Sequence, residues 1–294
     1  SLENKDLVKI AKERKIKESP KDRTDLINTL YGLEAEEKNA TIGAGILDIL
    51  PDQFGFLRPP GQKNSPNDIH VSRGIIRKNK LRAGDFVLAQ IEFPDEGGSQ
   101  RYPGVIKVEA VNGLSVEKIE SRVQFDKFTS IYPNEQIILE SDPKVVSSRI
   151  IDLVSPIGKG QRALVVAPPK AGKTILLKDI ANSIEKNSPD VKLIVALIGE
   201  RPEEVTDMRR SVKGEVFSST FDEPVEDHCK TSETALERAR RLVESGQDVV
   251  LLLDSLTRLG RAYNIAVPSS GKTLSGGMDP YALYPPKKFF GAAR

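Results

Sequence analysis

Residues 167–174 read Ala-Pro-Pro-Lys-Ala-Gly-Lys-Thr. They lie between an apolar run, Ala163–Val166, and a segment of amphipathic helical spacing, Ile175–Ile184. The run predicts a buried strand and the spacing a helix. A loop ending Gly-Lys-Thr in that setting is a phosphate cradle: backbone N–H groups wrap the anion, Lys173 reaches its outer phosphates, and the Thr174 hydroxyl ligates magnesium. The helix N-terminus adds partial positive charge at the same place. Ala167 stands where this pattern usually has glycine. The candidate nucleotide-binding residues are Pro169, Lys170, Ala171, Gly172, Lys173, Thr174 and Ile175.

Two further strand ends belong beside this loop. Val249–Leu253 is a continuous apolar run that ends in Asp254, as in a central parallel strand with a carboxylate at its C-terminal edge. Ligands bind at that edge of open α/β sheets, so Asp254 is a candidate to share the metal with Thr174. The other use of Asp254 is as a cap for the turn at Ser255 and Thr257. Leu193–Ile198 predicts a third strand, which delivers Gly199-Glu200-Arg201-Pro202-Glu203-Glu204. Pro202, Glu203 and Glu204 fit the first turn of a helix. Glu200 does not, and it is the candidate base that deprotonates a water in line with the terminal phosphate.

The chain has 294 residues, 38% apolar and 29% charged, enough for two domains and a sizeable core. Net charge is +2, so any affinity for nucleic acid rests on a local patch. Cys229 is the single cysteine, which excludes an intrachain disulfide and a cysteine-based zinc site. No run has membrane-spanning length and no signal peptide opens the chain, so a cytoplasmic, non-membrane protein is expected. The polar, glycine-bearing stretch in which Arg294 falls reads as the interior of a longer sequence.

Residues 1–40 read as a small helical piece broken at Ser19-Pro20. From Thr41 the texture changes to short β segments: Ala44–Leu50, Gln53–Leu57, Ile69–Val71, Phe86–Phe93 and Val105–Val111. Turn residues separate them, and an OB-fold barrel over 41–118 is the leading reading. Residues 119–147 read as a linker. Over 148–294 a strand–helix–strand rhythm predicts a parallel sheet wrapped by helices, including a helix over Ser232–Ser245. The expected fold class is α/β.

Gln53-Phe54-Gly55-Phe56-Leu57-Arg58 carries a second signal. Strand alternation puts Phe54 and Phe56 on one face and Leu57 on the other. With Leu57 inward, two aromatics and the adjacent Arg58 form an outer surface suited to single-stranded RNA, since every base has a face to stack. With the phenylalanines inward, they are core. Arg73, Arg77, Lys78, Lys80 and Arg82 supply local positive charge.

The segments DQFGFLRPP, NDIHVS, APPKAGKT, GERPEEVTDMRR, FDEP, LLLDSLTRLGRAYN and VPSSGKTLSGGMDP together resemble the bacterial transcription termination factor Rho family, over nearly the whole chain and most strongly from residue 41. The resemblance implies an OB-fold RNA site before a RecA-like motor, in a homohexameric, ATP- and Mg2+-dependent RNA translocase and RNA–DNA helicase. Its implied partners are nascent single-stranded RNA and transcribing RNA polymerase with its elongation factors. It implies catalytic roles for Lys173, Glu200, Arg201 and Arg258, and metal ligation by Thr174 and Asp254. RNA contacts are implied for Phe54, Phe56, Arg58, Asp68, His70 and Tyr102, with Lys272 in a pore loop over Val267–Gly277. The serines and glycines of that loop are expected to make it mobile.

Three departures stand out. His70 replaces a common tyrosine, Gly199 replaces a frequent aspartate, and the second pore loop and trans-acting arginine of the family are expected beyond Arg294. Hydrolysis by the 294-residue chain alone is therefore expected to be negligible. Two rival readings are a rotary ATP synthase catalytic subunit, which shares the barrel, nucleotide domain and Gly-Glu-Arg, and a passive RNA-binding module with a non-hydrolysing nucleotide site.

Overall fold

The structure is a computed structural model that describes residues 41–61, 65–94, 102–168 and 171–293. The expected helical piece at 1–40, and Pro169 and Lys170 of the loop, lie outside the described residues. The chain divides into two compact units: the residues through Phe125 with Arg240–Ser245, and Asp126–Ala239 with Gly246–Arg294.

The first unit contains strands β1 (Ile42–Ile49), β2 (Gly55–Arg58) and β3 (Ile69–Val71), helix α1 (Arg73–Lys78), then β4 (Phe86–Glu92), β5 (Gly104–Val111), β6 (Leu114–Ser115) and helix α2 (Val116–Glu120). The sheet order is β3-β2-β1-β4-β5-β6, and a parallel pairing of His70 in β3 with Gly104 in β5 closes it into a barrel. All other pairings in this sheet are antiparallel. Alternation sends Leu47, Leu57, Val71, Val87 and Ala89 inward, a shift of register between β4 and β5 lets both Val108 and Val111 join them, and Ile119 of α2 plugs the same core. At Gly45 a side chain is impossible, because its Cβ would lie 2.6 Å from the Arg58 amide nitrogen. The basic cluster falls partly on α1, which Ser72 caps by accepting the Ile75 amide, 3.4 Å.

The second unit contains β7 (Gln136–Ile137), α3 (Val146–Val154) and β8 (Ile157–Gly158), with β7 and β8 pairing antiparallel. There follow α4 (Lys173–Asn187), β9 (Lys192–Glu200), α5 (Pro202–Ser211), β10 (Glu215–Thr220), α6 (Val225–Glu244), β11 (Val249–Asp254), α7 (Leu256–Ala266) and α8 (Tyr284–Gly291). A parallel sheet runs β10-β9-β11. Every residue from Leu193 to Glu200 is buried, which is why this central strand reads as unbroken apolar sequence.

One expectation fails. Ala163–Val166 forms no strand, and Leu164 and Val166 are 61% and 85% exposed. An apolar run makes a strand only when a neighbour receives its backbone hydrogen bonds. Among the described residues β11 pairs with β9 alone.

Candidate functional site

The phosphate loop turns into α4 at Gly172, whose φ of +85° is a left-handed conformation that glycine adopts without strain. Lys173 and Thr174 are the first residues of the helix, so their side chains and the free amides of the first turn share one end. Both reach Asp254 at the end of β11: Lys173 Nζ is ion-paired to Oδ1, and the Thr174 hydroxyl donates to Oδ2 at 3.2 Å. Ala171 closes the turn by donating to the Pro168 carbonyl, 3.3 Å, and Ile175 is exposed.

Asp254 is 1% exposed and does not serve as the next helix's cap. Ser255 does that, accepting the Arg258 amide. A hydroxyl and a buried carboxylate converging at 3.2 Å are hard oxygen donors of the kind magnesium takes, so these residues fit the ion that the loop implies. When bound, the ion would screen phosphate charge. No cluster of three or more His, Cys, Asp or Glu side chains makes a metal site by itself among the described residues.

Glu200 ends β9, 4% exposed. Burial first, then a hydrogen bond with Glu204 and the charge of Asp254, push its carboxyl up to about 7, although Arg258 pulls the other way. Arg258 Nη1 lies 2.9 Å from Glu200 Oε2 and also donates to the Gly199 carbonyl. A carboxyl near 7 takes and gives a proton at neutral pH, which is what a general base needs. Arg201 is exposed at the N-cap of α5, with no hydrogen bond or ion pair to Glu200 or Asp254. The structure therefore gathers Lys173, Thr174, Glu200, Asp254 and Arg258, and leaves Arg201 aside.

The barrel settles the phenylalanine question by register. Leu57 is 1% exposed in the core, while Phe54 and Phe56 stand partly exposed on the outer face. Phe56 pairs across the sheet with His70, and Tyr102 lies just ahead of β5. Four rings meet there. Phe56 is 5.9 Å from Phe54, 5.7 Å from His70 and 5.2 Å from Tyr102 by centroid, and Phe54 is 5.5 Å from His70. Burial lowers the His70 pKa, so at neutral pH its imidazole is an uncharged ring.

Arg58 is not on the outer surface. It is 8% exposed, ion-paired to Asp48 and, through Nε at 2.7 Å, to Asp68. Two carboxylates draw the guanidinium inward, and only its flank meets the cluster, 5.4 Å from the Phe56 centroid. Asp68 Oδ2 takes that bond, while the buried Oδ1 has no hydrogen-bond partner. An unsatisfied buried acceptor, on a carboxylate bonded to an arginine that flanks Phe56, fits an amino group on a stacked base.

Lys272 is exposed in the Val267–Gly277 loop, which is more tied down than its composition implies. Asp279 Oδ2 accepts the Ser270 amide at 2.7 Å and the Ser270 and Ser269 hydroxyls at 2.9 and 3.1 Å.

Two relevant side chains escaped the sequence reading. Asp48 lies opposite Phe56 across β1 and β2, and only the register reveals it. Glu204 passes for a helix-start acid, which it also is.

A family model described as "Rho termination factor, RNA-binding domain" matches residues 43–117, and one described as "ATP synthase alpha/beta family, nucleotide-binding domain" matches 147–276. The transcription termination factor Rho of Bacillus subtilis is 51% identical over 299 residues, covering 100% of this chain and 70% of that protein. The chain belongs to the transcription termination factor Rho family. The Streptomyces lividans relative is 57% identical over 252 residues, covering 85% of this chain and 36% of its own length. The Mycobacterium bovis relative is 53% identical over 270 residues, covering 90% and 45%. The chain thus spans well under two thirds of these two Rho proteins. Family membership joins an OB-like barrel to a P-loop nucleotide domain, the two units found here. Among the described residues no helix is long and apolar enough to cross a membrane.

Proposed function

We propose that this chain supplies the RNA-binding and ATP-hydrolysing parts of a transcription terminator that grips nascent single-stranded RNA and uses ATP to release it from RNA polymerase, as a homohexameric ring translocase. The observation that carries the reading is the four-ring cluster on the barrel of a chain that also holds a phosphate loop and a buried base.

In this reading bases stack on Phe54, Phe56, His70 and Tyr102, and a base amino group donates to Asp68 Oδ1. In the second unit Lys173 neutralises the outer phosphates, Thr174 and Asp254 hold magnesium, and Glu200 takes the proton of the attacking water. Arg258 holds the Glu200 carboxylate in place, and Lys272 meets RNA phosphate.

The family model shared with ATP synthase subunits keeps the rotary reading as the rival for the second unit alone. Phosphate release by a full-length subunit carrying residues 1–294, with and without oligocytidylate, separates the two. Stimulation by RNA is expected. Turnover indifferent to RNA favours the rotary type of machine, and ATP binding without turnover favours a passive module.

A further inference from the structure

Strand β9 carries one residue that its neighbours do not match. Ser219 of β10 lies opposite Ile198 and Thr220 opposite Glu200, so the register passes over Gly199. On the other side the last pair is Asp254 of β11 with Leu197. Among the described residues Gly199 therefore has no opposite number on either strand. It is a β-bulge, an extra residue that bends the strand and stands outside the ladder, a device common beside active sites. Its φ of +64° lies in the left-handed region, where a side chain is resisted.

The carbonyl at the bulge is taken by a side chain. Arg258 Nη1 donates to the Gly199 carbonyl and lies 2.9 Å from Glu200 Oε2, so one guanidinium nitrogen joins the backbone of the bulge to the carboxylate of the next residue. Gly199 is flanked closely: a Cβ there would stand 3.4 Å from Arg258 Cδ and 3.8 Å from His228 Nε2. His228 is held in turn by a hydrogen bond between its Nδ1 and the hydroxyl of the buried Ser219, 2.9 Å. Past the bulge the chain is pinned again. Phe221 donates its amide to the Glu200 carbonyl at 3.2 Å, and α5 begins at Pro202.

A general base acts only when its oxygen is held at the attacking water, and a misplacement of about 1 Å can cost about 10²-fold in rate. The Arg258 side chain is 42% exposed, and an ion pair that wet is by itself a weak tether. The second bond, to a backbone carbonyl fixed between two pinned segments, supplies what the ion pair lacks. We propose that Gly199 is a positioning residue for ATP hydrolysis: its left-handed bulge presents the carbonyl that fixes Arg258, and Arg258 so fixed orients the Glu200 carboxylate. The proposal rests on the reading of Glu200 as the base of an RNA-stimulated ATPase. Both distances to a Cβ at 199 are ordinary van der Waals contacts, so a methyl group fits there and only the backbone conformation resists it.

That separation of space from conformation gives the test, made in a full-length subunit carrying residues 1–294 with oligocytidylate present. Alanine resists a left-handed backbone, and asparagine, though larger, tolerates it better. Gly199→Ala should lower kcat about 10- to 100-fold while KM for ATP stays within about twofold of the parent. Gly199→Asn should lower kcat less than Gly199→Ala does. In an Arg258→Ala background, Gly199→Ala should cost less than about threefold more, because the group it acts through is gone. Urea unfolding of each variant confirms that it is folded under the assay conditions. An order that follows size, with Asn slower than Ala, assigns Gly199 to packing and overturns the proposal. So does an undiminished Gly199→Ala effect on top of Arg258→Ala. Parental kcat in Gly199→Ala overturns it and leaves Glu200 in its role, whereas a parent subunit that hydrolyses no ATP with RNA overturns both.

Discussion

In the barrel, β2 and β3, which carry Phe56, Arg58 and His70, each have two hydrogen-bonded neighbours, whereas among the described residues β11, which carries Asp254, has one. The barrel strands carry the fully buried core of their unit, while Val249–Leu253 of β11 stay only partly buried, beside the fully buried Asp254. The difference follows from connectivity. Antiparallel neighbours joined by short turns satisfy one another within a few dozen residues, while parallel neighbours must arrive through long crossovers. The barrel is consequently a closed object whose outer face is set by its own register. The nucleotide site instead rests on strand ends, and among the described residues one of those strands pairs on a single side.

The charged groups of the two units differ in the same way. Arg58 sits between two carboxylates with 9% of its side chain exposed, and Arg258 meets Glu200 with 42% exposed. Burial makes the first pair structural, and exposure leaves the second free to act on whatever binds.

The largest expected effect tests the nucleotide side. In a full-length subunit, Glu200→Gln should slow phosphate release by about 10²–10⁴ while leaving ATP affinity near that of the parent. Because the Glu200 carboxyl lies at about 7 and a base acts only when ionised, release should decline as pH falls below that value. Hydrolysis at the parent rate in the variant would remove Glu200 from the role.

Next comes a matched pair of arginines. Arg58→Ala strands Asp48 and Asp68 with little solvent and should cost about 3–5 kcal/mol in urea unfolding. Arg258→Ala breaks a partly exposed pair and should cost no more than about 1 kcal/mol. Equal costs would mean that the two ion pairs do not differ as their burial implies.

A smaller effect tests the barrel face. Phe56→Ala should lose about 1–3 kcal/mol of affinity for single-stranded RNA, with ATP affinity unchanged. Circular dichroism of the variant separates lost stacking from lost fold, and a folded variant with parental affinity would refute the stacking role.

The smallest concerns the segment before the loop. Val166→Ser should change stability by less than about 0.5 kcal/mol, the usual range for an exposed position. A loss above about 2 kcal/mol would show Val166 packed as a strand residue, and the contrast between the units would then shrink.

Much of this was legible in the chain. Leu193–Ile198 and Val249–Leu253 read as buried parallel strands because both of their faces are apolar, and the structure forms β9 and β11 there. The five β segments lie within a residue or two of their predicted limits because Pro, Gly and Asp mark the turns between them. Ala163–Val166 looked the same as β11 in composition and went the other way. Hydrophobicity states that a segment avoids water, but not that a partner strand is present.

By itself the sequence determined the phosphate loop, the carboxylate at the end of β11, the strand pattern of the barrel and the family. These are local properties, fixed by residue type and spacing along a few turns or strands. Only the tertiary structure decided that Leu57 faces the core, with Phe54, Phe56, His70 and Tyr102 meeting outside it. It alone decided that Arg58 is buried between Asp48 and Asp68, and that burial, together with Glu204 and Asp254, raises the Glu200 carboxyl. Each of these depends on which residues lie opposite one another across a sheet. A shift of one residue in register sends every side chain to the other face, and a carboxylate's proton affinity depends on groups distant in the chain and adjacent in space.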